Sequence, residues 1–157
     1  MHQLVYRSTA KRAFSASDLQ SMLLEFRSYN ARHGITGILL HSWSAFLQLL
    51  EGERAQVEEL YGRIVNDPRH IEIVRLDMSL PRRMFSDWSM GFVDLSGPAQ
   101  SMAGYAGFPS DLDLKEIDHA TILELLTFFS EQSPPPDGLG QPSLAHQNTV
   151  RVAAGST

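Results

Sequence analysis

Short apolar runs alternating with amphipathic helical segments predict a ferredoxin-like α/β (α+β) sandwich for this 157-residue chain. The order is strand, helix, strand, strand, helix, strand, strand, which gives a mixed five-stranded sheet. Right-handed crossovers then place both helices on one face, with a groove between them and a C-terminal helical extension elsewhere. The most informative stretch is Gly34 to Gly52, where apolar runs Ile38–Leu40 and Phe46–Leu50 flank a polar link, Ser42–Ser44. Runs this apolar suit adjacent strands buried on both faces, so the hairpin belongs at the centre of the sheet.

The first strand is expected over His2 to Ser8. Ser17-Asp18-Leu19-Gln20 has the form of a capping box, and Leu19, Met22, Leu23 and Phe26 follow at helical spacing. Continuing that stripe by four reaches Asn30, and Gly34 supplies a left-handed stop. A second helix is predicted over Glu53 to Asn66, with Val57, Leu60, Tyr61 and Ile64 apolar, and Asp67-Pro68 ending it. Ile71–Met78 and Trp88–Val93 complete the strands, with Trp88, Met90 and Phe92 sharing a face. Leu95 to Ser110 is a Gly-, Ser-, Ala- and Pro-rich link. Leu114 to Gln132 forms a third helix whose wide apolar stripe must cover the free sheet face or a partner subunit. From Ser133 the chain is Pro- and Gly-containing and polar, as a disordered tail is.

Composition removes several function classes. A net charge of −5 and a pI near 5.6 disfavour a nucleic-acid face. With no cysteine there is no disulfide, thiolate metal site or thiol nucleophile, and the six histidines lack metal-ligand spacing. No apolar run reaches the roughly 20 residues that span a bilayer. The N-terminus enters a strand directly, without a signal-peptide layout, so the cytoplasm is the expected location.

Against this background a few polar residues stand out. Gln48 interrupts the most apolar strand, and a buried carboxamide left unpaired is costly. Taken singly, each candidate has an ordinary explanation. Tyr6 is then a core residue, Asn30 a helix cap, Arg63 and Asp67 a surface ion pair four apart, His70 a loop residue, and Trp88 and Met90 core filling. Their convergence is what matters. Asn30 comes from one helix, Arg63 and Asp67 from the facing edge of the other, and Tyr6 and Gln48 from adjacent strands. Such polar groups around an apolar groove suit a flat heteroaromatic ligand such as an isoalloxazine.

The residues that carry a resemblance follow in order. They are Leu4-Val5-Tyr6-Arg7-Ser8, Asn30 before Gly34-Ile35-Thr36-Gly37-Ile38-Leu39, and Phe46-Leu47-Gln48-Leu49-Leu50-Glu51-Gly52. Leu60-Tyr61-Gly62-Arg63-Ile64, Asp67-Pro68-Arg69-His70 and Arg83-Met84-Phe85-Ser86-Asp87-Trp88-Ser89-Met90-Gly91-Phe92 come after them. From about Leu4 to Phe92 the chain resembles a BLUF domain, a blue-light sensor that uses flavin, of the short stand-alone type. The resemblance implies a flavin-binding domain over 1–95, a linker and C-terminal helix over 96–132, and the tail over 133–157.

It also implies a non-covalent flavin, FAD with FMN as the alternative, held by Tyr6, Asn30, Gln48, Arg63, Asp67 and His70. Tyr6 matches the donor of an electron and proton to the photoexcited ring, and Gln48 the amide that then rotates or tautomerises. Trp88 and Met90 match the positions that respond to the amide, and which lies nearer the flavin in the dark stays open. Tyr29 sits where other members place a different polar residue. The implied protein is not an enzyme. It is a photoreceptor, a homo-oligomer that signals to a downstream protein, with no nucleic-acid or membrane partner. A flavin-binding module without photochemistry and a pure interaction module on the same fold are the alternatives. An acylphosphatase-like loop is absent, since Thr9-Ala10-Lys11-Arg12-Ala13 offers no Gly-Arg-rich turn.

Overall fold

The computed structural model describes residues 1–95 and 113–131. Its elements are β1 (His2–Ala10), α1 (Ala16–His33), β2 (Thr36–Ser42), β3 (Ala45–Gly52), α2 (Arg54–Val65), β4 (His70–Leu76), β5 (Gly91–Asp94) and α3 (His119–Ser130). The strands form one five-stranded sheet in the order β4-β1-β3-β2-β5. All neighbours are antiparallel except β2 and β5, so the sheet is mixed and the ferredoxin-like sandwich is as expected. Most of the expected link, and the tail from Ser133, lie outside the described residues.

The hairpin holds the central place its composition demands. Every residue of β3 is buried, and β3 pairs with β1 on one side and β2 on the other. Alternate β3 residues therefore face two separate cores. Leu50 and Phe46 join Leu4 and Tyr6 beneath α1 and α2, packed by Leu19, Leu23, Val57 and Leu60. Leu47 and Leu49 face the other way, with Val5, Ile38 and Leu40, under α3. Helix α3 thus covers the free face of the sheet with Ile122, Leu125, Leu126 and Phe129.

Local chemistry moves several boundaries. Helix α1 starts earlier than the Ser17 box predicts. Ser15 is the N-cap, and its box partner is Asp18. A carboxylate at the third helical position complements the positive end of the helix dipole, which the Gln20 alternative cannot do. Gly34 ends the helix in the left-handed conformation at φ 66°, as expected. The strand predicted over Trp88–Val93 begins only at Gly91. Before it, Trp88 N–H donates to the Phe85 carbonyl at 3.0 Å, closing a turn that breaks strand alternation. Trp88 therefore does not share a face with Met90 and Phe92. Its indole belongs to the α3-side core, while Met90 and Phe92 lie on the α1/α2 side.

The segment leading into β5 is anchored by a buried carboxylate. Glu51 is fully enclosed and accepts the backbone N–H groups of Met84 and Phe85 at 2.7 Å each, and Gln3 Nε2 at 2.7 Å. With that many donors a buried carboxylate is tolerated.

Candidate functional site

The sheet register sets Gln48 between Tyr6 of β1 and Leu39 of β2. The Tyr6 hydroxyl donates to Gln48 Oε1. Gln48 Nε2 in turn donates to the Met90 sulfur at 3.4 Å. All three side chains are buried. A thioether sulfur accepts weakly and cannot donate, so this contact requires the amide nitrogen, not the oxygen, to face Met90. Burial raises the Tyr6 pKa far above the ordinary phenol value, with Tyr61 and Asp67 adding to the effect, so the hydroxyl keeps its proton.

Helix α1 meets the same segment from above. Asn30 Nδ2 donates to the Ser89 carbonyl at 2.8 Å, while Asn30 Oδ1 is buried without a hydrogen-bond partner among the described residues. Three residues earlier on α1, Arg27 is buried and its Nε donates to the Met90 carbonyl at 2.8 Å. Sequence reasoning passed over Arg27. The available signal was its place four residues after Leu23 on the buried stripe.

His70 lies edge-on to the Tyr6 ring, with centroids 6.4 Å apart. Its Nε2 is 2.7 Å from the Ile64 carbonyl and its Nδ1 2.9 Å from Ser8 Oγ. A carbonyl only accepts, so Nε2 carries the hydrogen, and in the neutral ring Nδ1 accepts from the serine. Both nitrogens are thereby used by the protein.

Arg63 and Asp67 do not pair with each other. Helix α2 ends at Val65, so the spacing of four does not carry its geometry to residue 67. The Asp67 carboxylate is instead bound by Arg69, through Nε at 3.0 Å to both oxygens and Nη2 at 2.5 Å. Partial burial of Asp67 raises its pKa, but these bonds and the Arg69 backbone N–H outweigh it and leave the carboxyl below its usual range. The Arg63 guanidinium lies over the Tyr29 ring, 4.5 Å from its centroid, and that ring also stacks on His33 at 4.0 Å. The Tyr29 hydroxyl is a second buried group without a partner among the described residues.

Between α1 and α2 lies a narrow cleft open to solvent, lined by Tyr6, Met22, Phe26, Leu39, Phe46 and His70 among others. It continues past Phe26, Ile64, Asp67 and Arg69 into a wider mouth edged by Tyr29, Arg32 and Arg63. Apolar walls with Tyr6, Asp67 and His70 among them suit a flat ring with a polar edge, and the Tyr6–Gln48 pair stands directly behind the Tyr6 wall. Among the described residues, no group of His, Asp or Glu is arranged to hold a metal, and no helix is long and apolar enough to cross a membrane.

An α/β sandwich with this groove belongs to the class of ligand-binding ferredoxin-like modules. The chain is a member of the BLUF family, sensors of blue light using FAD, whose model matches residues 1–91. The photoactivated adenylate cyclase subunit beta of Euglena gracilis is 39% identical over 89 residues, 55% of this chain and 10% of that protein. The blue light- and temperature-regulated antirepressor BluF of Escherichia coli (strain K12) is 38% identical over 93 residues, 59% of this chain and 23% of its own length. The chain thus spans a tenth to a quarter of these two relatives. Among solved structures, the dark state of the BLUF protein BlrB superposes with a TM-score of 0.68 at 34% identity, covering 82% of this chain and 93% of BlrB. The photo-activated state of BlsA also gives 0.68, at 28% identity over 83% of this chain and 95% of BlsA.

Proposed function

We propose that this chain is a blue-light switch in which Gln48, between Tyr6 and Met90, is the moving part. The observation that carries the proposal is the buried relay from the Tyr6 hydroxyl to Gln48 Oε1 and from Gln48 Nε2 to the Met90 sulfur. When bound, a flavin supplies blue-light absorption and, once excited, a strong one-electron oxidant. Asn30 Oδ1 is the natural acceptor for a ring N–H. Tyr6, Gln48, Arg63, Asp67 and His70 would complete the site, with FAD favoured by the family description and FMN sharing the same ring.

Tyr6 cannot easily release its proton alone, because burial disfavours the phenolate, so its proton departs together with an electron. Gln48 Oε1 would take that proton as Gln48 Nε2 gives one up toward the flavin, so the amide relays the proton and stays neutral. Rotation or tautomerisation of Gln48 then changes which end of the amide donates, and it does so without creating a buried charge. Over a full cycle Tyr6 recovers its proton and electron, leaving the change in Gln48. A rotated amide would turn oxygen toward Met90, which has no hydrogen to offer. The sulfur contact therefore favours the dark arrangement and pulls the amide back.

On this reading Tyr6, Gln48 and Asn30 bind and switch rather than catalyse, and output passes to a downstream protein from a cytoplasmic homo-oligomer. Residues 1–95 form the sensing domain, and α3 is the element beyond it. The test is the visible spectrum of the purified protein before and after blue light. The expected result is a flavin band that shifts slightly to the red and reverts in the dark, with the shift lost in Gln48→Leu and in Tyr6→Phe. A colourless protein would remove the flavin, and a full shift in Gln48→Leu would remove the switch.

A further inference from the structure

We infer that Arg27 is a positioning residue that holds Met90 against Gln48 and so sets how fast the light-adapted state reverts; the inference rests on the switch proposed above. Met90 precedes β5, whose pairing with β2 begins at Ile38 and Gly91. The ladder therefore does not dictate where the Met90 side chain points. Three clamps on consecutive carbonyls do so instead. Gly37 N–H takes the Trp88 carbonyl at 3.0 Å, Asn30 Nδ2 the Ser89 carbonyl at 2.8 Å, and Arg27 Nε the Met90 carbonyl at 2.8 Å.

The clamp on Met90 itself is the one that carries a charge. Arg27 is only 6% exposed, and a guanidinium is not buried cheaply unless its donors are used. A charge-assisted bond is roughly twice as strong as a neutral one. Arg27 and Asn30 also stand three apart on one face of α1, so a rigid helix delivers both clamps together. Arg27 works through the Met90 carbonyl. It acts by fixing the backbone from which the accepting sulfur projects.

The contact between Gln48 Nε2 and the Met90 sulfur is re-formed when the amide returns, so loosening Met90 removes part of what favours the return step. The experiment uses the flavin-loaded full chain and compares the light-induced shift and the dark-recovery rate of wild type, Arg27→Met, Arg27→Lys, Met90→Leu and Arg27→Met/Met90→Leu. Arg27→Met is expected to keep its shift and recover at least fivefold more slowly. Arg27→Lys, which retains a donor without the planar fork, should fall between it and wild type. In the Met90→Leu background, the Arg27 substitution should add less than twofold, since the sulfur it positions is gone. Recovery of Arg27→Met within twofold of wild type would overturn the inference, as would an undiminished Arg27 effect on top of Met90→Leu. If Arg27→Met does not hold flavin, Arg27→Lys takes over the first criterion, and recovery at the wild-type rate overturns the inference. A wild-type protein with no light-induced shift would instead strike the switch itself, so the two failures are distinct.

Discussion

Asn30 uses only one end of its amide within the protein: the nitrogen donates to Ser89, while the buried oxygen has no partner among the described residues. A buried acceptor left unsatisfied costs about 1–3 kcal/mol, which a ligand N–H would recover. Asn30→Leu is therefore expected to weaken flavin binding about tenfold to a hundredfold in a fluorescence titration, with the switch spectrum retained at saturating flavin. An unchanged affinity would mean that the oxygen does not meet the ring. The polar residues of the candidate site stand out in the sequence to the degree that they break a pattern. Gln48 interrupts an apolar strand, and Tyr6 lies opposite it once the strands pair. Arg27 was legible only as a position on the buried stripe four residues after Leu23; a charged helical residue is ordinarily solvent-facing, and only the fold reveals the carbonyl it meets. The ordinary reading of Arg63 and Asp67 as an ion pair does not hold, for a related reason: spacing predicts contact only while the helix continues.

At the scale of elements, the hairpin and both groove helices follow from apolar periodicity, while the lead-in to β5 does not. Its course depends on Glu51 collecting N–H groups from residues more than thirty positions away, and no local pattern encodes that. Trp88 was misplaced for that reason. Strand alternation was carried back into a turn. Gly37 illustrates a different local constraint. It adopts φ 153°, and a Cβ there would lie 1.9 Å from the Leu49 carbonyl oxygen of the neighbouring strand. Gly37→Ala must displace backbone at the centre of the sheet, so a loss of about 3 kcal/mol is expected from the shift in denaturant midpoint. The variant would also disturb the clamp on the Trp88 carbonyl, which Gly37 N–H supplies. A midpoint within error of wild type would show that β2 can move away from β3 freely.

For the whole molecule, several carboxylates are held below their usual pKa. Asp67 is lowered by Arg69 against its own burial, Glu58 mainly by the Arg75 hydrogen bond, Asp18 by Ser15 and Asp118 by Thr121. A carboxyl whose folded pKa is depressed stabilises the fold above its unfolded value, about 4, and that stability is lost as pH falls through the folded value. The melting temperature is accordingly expected to drop below about pH 4, and Asp67→Asn should flatten part of that decline. An identical acid limb in Asp67→Asn would remove the Arg69 pairing from the stability of the molecule. At this scale the sheet divides the protein into two cores, and the short stretch from Trp88 to Met90 contributes a side chain to each. The α3-side contribution depends on one missing atom. A Cβ at position 91 would sit 2.2 Å from Cε3 of the Trp88 ring, so the indole occupies ground that any other residue there would claim. Positions 88 and 91 are thus expected to vary together among relatives. A chain with a side chain at 91 has to seat its indole elsewhere or do without one, and that covariation can be read from sequences alone.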